Sequence, residues 1–512
     1  MDNKNVFVAI ALSMAVLLFW GAFFETPRQV KENQSIDKVQ TNQDEIQGNI
    51  TPSINQETII KKISRDDALT EVDRVIIENE KVKGSISLKG AIFDDLSFKN
   101  YKKDLKSGEN VVFLNPKEIE DGYYIESGWT SIGNEVEVPG VDSLWQVKGN
   151  RVLSEKNNVV LEWNNGKGLI FKKTIKLDDK YLFKIKQEVQ NNTSTKINLY
   201  PYAQITRNKK PDDVMGFYIL HEGFIGVFDG ELKEDDYDDI EEKKAVRNSD
   251  NGWLGITDKY WVTAIVPPKD KNFKSTFLYK DNFRANYILN SPVAIKPKST
   301  SDNEVRLFVA AKEVETVDGY AESENIEKFD LTIDWGWFYF FTKPLFFVID
   351  YLFKFSGNFG IAIVLITLAI RVIFFPLANY SFRSMAKMKA VQPEMTRLKE
   401  LHKEDKVKLQ QEMMALYRKE KINPASGCLP ILIQIPFFFA IYKMLFISLE
   451  MRHQPFFGWI QDLSAKDPTT IFNLFGLIPW DPPGFLIIGI WPILMGLSMY
   501  VQQKLNPAPA DP

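Results

Sequence analysis

The run from Phe359 to Leu377 is apolar except at Thr367 and Arg371, and as a helix it would cross most of a bilayer. A guanidinium does not lose its proton in proteins, so Arg371 would carry its charge at membrane depth. That placement costs about 2.5–3.5 kcal/mol at the centre of a membrane helix. A chain with such a residue must therefore pair the charge, hydrate it or let it reach the membrane surface.

The average composition conceals two kinds of sequence. The chain has 512 residues, of which 25% are charged, and its mean hydropathy is −0.20, as in a soluble protein. Several segments are nevertheless too apolar for water, which predicts a soluble part and a membrane part. A net charge of −4 argues against a general nucleic-acid binder. One cysteine and three scattered histidines predict neither a metal site nor a cofactor.

The amino-terminal residues predict an anchor followed by a tether. Val6–Phe24 is an apolar run of about 28 Å as a helix, close to the thickness of the hydrocarbon core. We assign residues 1–24 to an uncleaved transmembrane anchor, with a signal peptide as the alternative. Residues 25–60 are rich in Gln, Asn, Lys and Glu, which favours a flexible linker.

Residues 61–331 predict one large all-β domain. Gly168–Leu177, Tyr181–Val189 and Trp261–Val266 alternate between apolar and polar residues and are rich in β-branched and aromatic side chains. Many short segments of this kind are typical of a sandwich. The acidic run Glu231–Asp239 does not have the spacing of a calcium-binding loop, so we expect a solvated surface loop there.

Residues 332–512 predict a helical membrane domain. Its expected elements are an interfacial helix at 335–353, membrane spans at 357–377, 429–449 and 485–501, and a helical hairpin at 379–423. Residues 378–428 contain eleven Lys and Arg against six Asp and Glu, whereas residues 450–484 contain two against four. The basic segment should stay in the cytoplasm, with the β domain outside.

Two apolar stripes predict that residues 379–423 form paired helices. The stripes are Met388, Val391, Met395, Leu398 and His402, followed by Leu409, Met413, Leu416 and Tyr417. Such stripes on two consecutive helices favour an antiparallel hairpin. The hairpin is either a structural spacer or a docking element for lipid headgroups, a polypeptide or ribosomal RNA.

Polar residues within the predicted spans are the candidates for function. Thr367 and Arg371 lie four residues apart and share a helix face, while Gln434 and Lys443 lie in the next span. Arg371 could reach the surface, about 9 Å away along the helix. It could equally line a water-filled recess together with Thr367, since no carboxylate lies in a predicted span. The residues alone leave these two interpretations open.

Several motifs closely resemble the YidC/Oxa family of membrane protein insertases, in order and spacing, over about Asp334–Leu505. They are Gly357–Gly360, Arg371–Leu377, Ser384–Met388, Gln392–Pro393, Gln411–Tyr417, Asn423–Pro424, Leu432–Pro436 and Leu463–Pro468. The amino-terminal half resembles the Gram-negative branch in layout. The resemblance implies a multidomain membrane protein with an all-β periplasmic supersandwich, an α-helical transmembrane insertase core and a cytoplasmic helical hairpin.

The resemblance also implies a function. Such a protein inserts and helps to fold integral membrane proteins in the inner membrane, alone or with the Sec translocon, and is not an enzyme. A hydrated, positively charged groove, open to cytoplasm and lipid, would contain Arg371, Thr367 and Gln434. The hairpin would dock substrates, and possible partners include the ribosome; the residues assigned to this docking are Met388, Met395, Met413 and Tyr417.

One departure from the family pattern concerns the carboxyl terminus. The family continues with two further membrane helices after the span at 485–501, and they are missing here, so we expect the sequence to be a fragment. Two other classes of protein are alternatives to an insertase. A membrane-anchored periplasmic scaffold or binding protein is the main alternative, whereas a transporter is disfavoured by the lack of an inverted repeat.

Overall fold

The computed structural model describes most of the chain from residue 63 onward. The described residues are 63–105, 107–131, 136–214, 220–403, 405–423, 429–465, 467, 469–478, 480, 482–483 and 488–505. The predicted anchor at 1–24 and the predicted linker at 25–60 lie outside them.

In the described part of the chain, twenty strands form two sheets. The strands are β1 (Arg74–Glu78), β2 (Val82–Ser87), β3 (Ile92–Lys102), β4 (Asn110–Leu114), β5 (Tyr123–Thr130), β6 (Gln146–Lys148), β7 (Val152–Leu153), β8 (Val159–Asn164), β9 (Leu169–Leu177), β10 (Leu182–Asn191), β11 (Ile197–Arg207), β12 (Gly223–Phe228), β13 (Glu231–Asp236), β14 (Ala245–Ser249), β15 (Gly252–Thr257), β16 (Trp261–Val266), β17 (Phe273–Lys280), β18 (Asn282–Leu289), β19 (Val293–Ile295) and β20 (Ser299–Ala311).

Each sheet has a defined strand order. The first follows β14-β17-β18-β11-β5-β3-β2-β1-β7, with β19 added to β11 and β4 to β3. The second follows β13-β12-β15-β16-β20-β10-β9-β8-β6. Long antiparallel ladders such as β10 with β20 fix the register, and the short pair β1 with β7 is parallel.

The two sheets pack face to face through aromatic side chains. The ring centroids of Phe93 on β3 and Phe183 on β10 are 5.3 Å apart. Those of Phe224 on β12 and Phe277 on β17 are 5.1 Å apart. In each pair one ring comes from each sheet, so the core lies between them, as in a sandwich. The prediction of a large β-sandwich domain is confirmed.

Alternating burial explains why β9 forms a strand. Every second residue from Leu169 to Leu177 is buried, so one face of the strand contributes to the core. Lys173 is the exception to the apolar pattern of that face. Its ammonium donates to the carbonyl oxygen of Ser127 at 2.6 Å and lies 4.9 Å from the ring centre of Trp145. Burial lowers the pKa of Lys173 to about 8.

The described part of the chain also contains eight α-helices and two 3-10 helices. They are α1 (Arg65–Thr70), α2 (Tyr237–Glu242), α3 (Val314–Ser323), α4 (Tyr339–Ser356), α5 (Phe359–Leu401), α6 (Lys406–Lys419), α7 (Leu429–Ile447) and α8 (Ile490–Leu505), with 3-10 turns at Phe329–Thr332 and Ile471–Gly476.

The acidic run at 231–239 differs from its prediction as a surface loop. Its first part is β13, which pairs along its whole length with β12, and its second part begins α2. The backbone of an edge strand forms ladder bonds while its charged side chains stay in water. Hydrophobic periodicity therefore does not reveal this strand.

In the membrane part, the order of helices differs from the prediction at one place. The predicted span at 357–377 and the first arm of the predicted hairpin form one helix, α5, which continues through Pro376 and Pro393. A proline removes one helical hydrogen bond, and here that loss does not end the helix. The predicted interfacial helix corresponds to α4, which begins four residues later than expected.

By length and composition, α5 is the one helix among the described residues that could cross a membrane. The segment Leu432–Ile447 within α7 is apolar but shorter. The described part of the span predicted at 485–501 begins at residue 488, and α8 begins at Ile490. The number and placement of the spans therefore stay predictions.

Replacing Gly252 with alanine should destabilise the β domain. Gly252 has φ = 141°, and an added Cβ would lie 1.9 Å from the carbonyl oxygen of Val227 on the paired strand. We expect a loss of about 1–3 kcal/mol and a lower midpoint of thermal unfolding for the purified chain in detergent. Gly319→Ala in α3 is the control, because an added Cβ there meets no atom within 4 Å. Equal midpoints for the two variants would contradict this account.

Candidate functional site

Three helices of the membrane part meet at Phe437 of α7. Its ring centroid lies 4.6 Å from that of Phe341 on α4 and 5.1 Å from that of Phe374 on α5. Apolar rings from three helices thus share one contact, which fixes the helices relative to one another.

Two contacts define how α5 and α7 run relative to each other. Gly360, at the start of α5, lies against Phe456, which follows the end of α7; an added Cβ would be 2.1 Å from that ring. Phe374, further along α5, contacts Phe437 in the middle of α7. The two helices are therefore antiparallel, and Gly360 is needed because the ring of Phe456 occupies the space of a side chain.

Thr367 and Arg371 lie on the side of α5 that faces α7. Gly360, Thr367, Arg371 and Phe374 follow one another at spacings of seven, four and three residues, which places them on one helix face. Both Thr367 and Arg371 are exposed. The hydroxyl of Thr367 donates to the carbonyl oxygen of Ile363 at 2.7 Å, so it stays within its own helix.

Gln434 lies on the facing side of α7. It is half-buried and one turn before Phe437, as Arg371 is one turn before Phe374. Since the helices are antiparallel, Arg371 and Gln434 lie on opposite sides of the aromatic contact, about 9 Å apart along the axes. Within the described residues Arg371 has neither a hydrogen-bond nor an ion-pair partner. The three predicted groove residues thus lie on facing helix sides without forming a bonded cluster.

Lys443, the other cation of the predicted spans, is paired. Its ammonium lies 2.6 Å from Oδ2 of Asp334, and both side chains are largely buried. The same carboxylate accepts the backbone N–H of His221 and that of Gly336, each at 3.0 Å. Asp334 therefore joins a loop of the β domain to α7. The sequence pattern indicates Lys443 but not its partner Asp334, because the two residues are 109 positions apart.

Gly336 leaves room for this ion pair. Its φ is 73°, in the left-handed region, and an added Cβ would lie 3.1 Å from Cε of Lys443. A residue with a side chain would therefore be strained in its backbone and would press against the lysine.

Glu450 and Arg452 form a second connection to the β domain. Oε1 of Glu450 accepts the N–H of Val314, at the first turn of α3, at 3.1 Å. Burial raises the pKa of Glu450 despite this hydrogen bond. The guanidinium of Arg452 donates to the carbonyl oxygen of Lys103 at 2.9 Å and lies 5.7 Å from the ring centre of Trp261. The sequence pattern predicts no role for either residue.

One side of α4 is attached to the β domain and the other is exposed. Lys343 forms ion pairs of 2.9 Å with Asp318 on α3 and with Asp330. The exposed residues of α4 and of the turn before it are largely aromatic: Trp337, Phe340, Phe347, Tyr351 and Phe355. A charged side and an aromatic side on one helix are typical of a membrane-interface element.

The two helices of the hairpin pack through the predicted stripes. Met395 on α5 is 2% exposed, and its sulfur lies 4.0 Å from the hydroxyl of Tyr417 on α6. Met388 and Met413 are half-buried. These four residues, assigned to docking in the sequence analysis, therefore lie in or beside the seam between the helices. The exposed large apolar residues of the hairpin are others: Tyr380 and Phe382 near its start, and Leu401, Val407 and Met414 near its turn and on α6.

Comparison with known proteins identifies the family. The family model described as the YidC periplasmic domain matches residues 74–348, and that described as the 60Kd inner membrane protein matches residues 351–512. The chain is 54% identical to the membrane protein insertase YidC of Pelagibacter ubique, covering 100% of this chain and 91% of that protein. The chain belongs to the YidC family of membrane protein insertases. It is also 44% identical to the YidC of Methylorubrum extorquens, over 100% of this chain and 88% of that protein.

Family membership confirms the resemblance seen in the sequence. The chain is an inner-membrane protein of an insertase family rather than an enzyme. Among the described residues there is no group of three or more His, Cys, Asp or Glu that could hold a metal ion.

Solved structures show only loose similarity in shape. A crystal structure of an active YidC insertase has a TM-score of 0.28 and 17% identity, covering 81% of this chain and 80% of that chain. A galactose mutarotase related enzyme from Lactobacillus acidophilus has a TM-score of 0.33 and 11% identity, covering 47% of this chain and 98% of that chain. Likenesses this loose say nothing about what the chain binds.

Removing the carboxylate of Asp334 should destabilise the attachment of α7. Asp334→Ala leaves Lys443 without its carboxylate, and breaking a buried ion pair costs about 3–5 kcal/mol. We expect a lower midpoint of thermal unfolding in detergent, partly restored in the double variant Asp334→Ala/Lys443→Met. Asp302→Ala is the control, because Asp302 is exposed and 3.8 Å from Lys186. The account fails if the two single variants unfold alike.

Proposed function

We infer that this chain inserts integral membrane proteins into the inner membrane through a hydrated recess between α5 and α7. The observation that carries this proposal is the exposed Arg371, which has no carboxylate partner in the described residues and lies beside Thr367 on the side facing Gln434. Membership of an insertase family supplies the class of substrate, which is a membrane protein entering the bilayer.

The proposed topology follows from the distribution of charge. The basic segment at 378–428 is cytoplasmic, and the β domain and the segment at 450–484 are periplasmic. In this arrangement the anchor at 1–24 and the spans at 357–377, 429–449 and 485–501 cross the membrane. α4 lies along its outer surface, with its aromatic side toward lipid and Lys343 toward the β domain.

The recess shortens the path that a polar segment takes through hydrocarbon. Thr367 lies ten residues before Leu377, so a recess that reaches it extends about 15 Å, half of a hydrocarbon core of about 30 Å. Water in the recess would solvate the guanidinium and the arriving segment. Arg371 would attract an acidic or polar segment into the recess, since opposite charges about 4 Å apart gain about 1 kcal/mol even in water.

Transfer of the substrate's apolar side chains into lipid provides the free energy for insertion. This transfer gains about 25 cal/mol per Å² of apolar surface. No nucleotide is needed for this step, because the recess lowers the barrier for the polar segment and partitioning moves the helix into lipid. The recess must therefore open sideways to the bilayer as well as to the cytoplasm.

The hairpin formed by α6 and the end of α5 would receive the substrate or its carrier. The seam residues Met395 and Tyr417 are occupied by packing. We therefore expect docking through the exposed Leu401, Val407 and Met414, surrounded by basic residues. A nascent membrane protein fits this surface, with the ribosome and the Sec translocon as further proposed partners.

Replacing Arg371 with alanine should slow insertion. We expect a fall of about fivefold or more for a small single-span substrate with an acidic translocated segment, since about 1 kcal/mol of attraction is lost. Arg371→Lys keeps the charge and should retain most of the activity. The measurement is protease protection of the substrate in liposomes containing the purified chain.

The control for this experiment is Leu368→Ala, which shortens an exposed apolar side chain of α5 and removes no charge. A substrate with a neutral translocated segment should depend less on Arg371. If Arg371→Ala inserts the acidic substrate as well as Leu368→Ala does, the role proposed for the charge is wrong. If loss of the β domain abolishes insertion while loss of the hairpin does not, the alternative of a periplasmic scaffold gains support.

A further inference from the structure

The segment between α7 and α8 exposes several large apolar side chains. Its outer surface, defined here by Trp459, Phe472, Leu474, Phe475, Leu477 and Trp480, is exposed at each of these residues. Leu477 reaches 83% exposure. A patch of this density on a soluble protein marks an interaction surface.

The backbone of this segment turns polar side chains inward. Thr470 is 1% exposed and Asn473 is 8% exposed. The N–H of Phe475 donates to the carbonyl oxygen of Thr470 at 2.8 Å, and that of Ile478 to the carbonyl oxygen of Asn473 at 3.1 Å. The usual distribution of side chains in a loop is thus reversed, with buried polar groups and exposed apolar ones.

Strained residues hold the apolar side chains outward. Leu474 and Phe475 have φ values of 48° and 57°, in the left-handed region that large side chains rarely adopt. Each such residue costs on the order of 1–3 kcal/mol. A partner that covers the outer surface would offset this cost.

Two carboxylates of the segment, those of Asp462 and Asp467, accept hydrogen bonds from within it. Asp462 accepts the N–H of His453 at 3.0 Å and both the N–H and the hydroxyl of Ser464, at 2.8 and 2.6 Å. Asp467 accepts the N–H and hydroxyl of Thr469. Oδ1 of each carboxylate is therefore hydrogen-bonded by the protein, whereas Oδ2 of Asp467 is buried without a partner in the described residues. Neither carboxylate belongs to the outer surface, so that surface can approach an apolar medium.

Continuity with the neighbouring helices identifies lipid as the partner. α7 exposes Phe438 and Phe439, and α8 exposes Leu494 and Met495. Trp459 stacks on Trp491 of α8, with centroids 6.5 Å apart, so the apolar surfaces are joined. Tryptophan is enriched where a membrane meets water, and irregular backbone does not enter the hydrocarbon exposed to lipid.

We propose that the outer surface of the α7–α8 segment lies in the headgroup region of the periplasmic leaflet and contacts lipid directly. This rests on the topology given under the proposed function. Through Phe456, which packs against Gly360, the segment would also set the depth of α5 and therefore of Arg371. The partner is a bilayer, and neither a substrate nor another protein is required for this contact.

The test places a fluorescent label at single cysteines in the full chain. Cys428 is the one natural cysteine, so Cys428→Ser gives the background. Phe472→Cys and Leu477→Cys carry the nitrobenzoxadiazole label, with Leu368→Cys on α5 as the hydrocarbon control and Lys156→Cys in the β domain as the water control. The protein is reconstituted into phosphatidylethanolamine–phosphatidylglycerol liposomes without other proteins.

Lipids with a nitroxide on the headgroup or near the end of the acyl chain then report depth. At 472 and 477 we expect headgroup nitroxide to quench at least about twofold more than acyl nitroxide, as at an interfacial depth of about 5–10 Å. The Leu368→Cys control should show the reverse order. Labels at 472 and 477 that resemble the Lys156→Cys control would overturn the proposal and leave the surface to a protein partner.

Quenching like that of the Leu368→Cys control would also overturn the proposal, because it would place the segment in hydrocarbon. The readout needs no substrate and does not involve the charge of Arg371. A failure of the insertion experiment and a failure of this one can therefore be told apart.

Discussion

The permanent charge of Arg371 is the constraint on which the membrane half of this protein depends. Two other cations of the helical region show how the fold treats charge: Lys443 pairs with Asp334, and Lys343 pairs with two aspartates. Arg371 has no such partner in the described residues. Since a guanidinium does not neutralise itself, the proposed recess would stabilise it by hydration.

The attachments to the β domain position the helices that surround this charge. Asp334 connects a β-domain loop to α7, and Glu450 connects the end of α7 to the first turn of α3. Phe456 then packs against Gly360 at the start of α5. The packing of α5 against α7 is thus fixed at its β-domain end as well as at Phe437. Thr367 and Gln434 lie between α5 and α7 on the facing helix sides.

The local hydrophobic pattern predicted those elements in which apolar residues recur on a buried face. The expected strand Trp261–Val266 has the bounds of β16, and the apolar seam of the hairpin contains the buried Met395. Pattern did not predict β13, because an edge strand bonds through its backbone and keeps its charges in water. The hydrophobic pattern also predicted a helix boundary after residue 377, within α5. There Pro376 removes one hydrogen bond without ending the helix.

The residues of the candidate functional site also divide into those that the sequence predicted and those that it did not. Thr367, Arg371 and Gln434 were candidates because polar residues in apolar helices need a reason. Asp334 could not be found in this way, since its pairing with Lys443 depends on the fold and not on a motif. The outward surface of the α7–α8 segment likewise depends on left-handed residues such as Leu474, which composition does not reveal.

The central claim is that the face of α5 that carries Thr367 is hydrated, while the other faces of the apolar part of α5 contact lipid. In the Cys428→Ser background, Thr367→Cys and the nearby Ala369→Cys, which is exposed on the opposite face of α5, can be compared in native membranes for reaction with a charged maleimide applied from the cytoplasmic side. Thiol reactivity needs the thiolate, which water stabilises, so Thr367→Cys should react at least about tenfold faster than Ala369→Cys. Equal, slow reaction at both positions would mean that no hydrated recess exists.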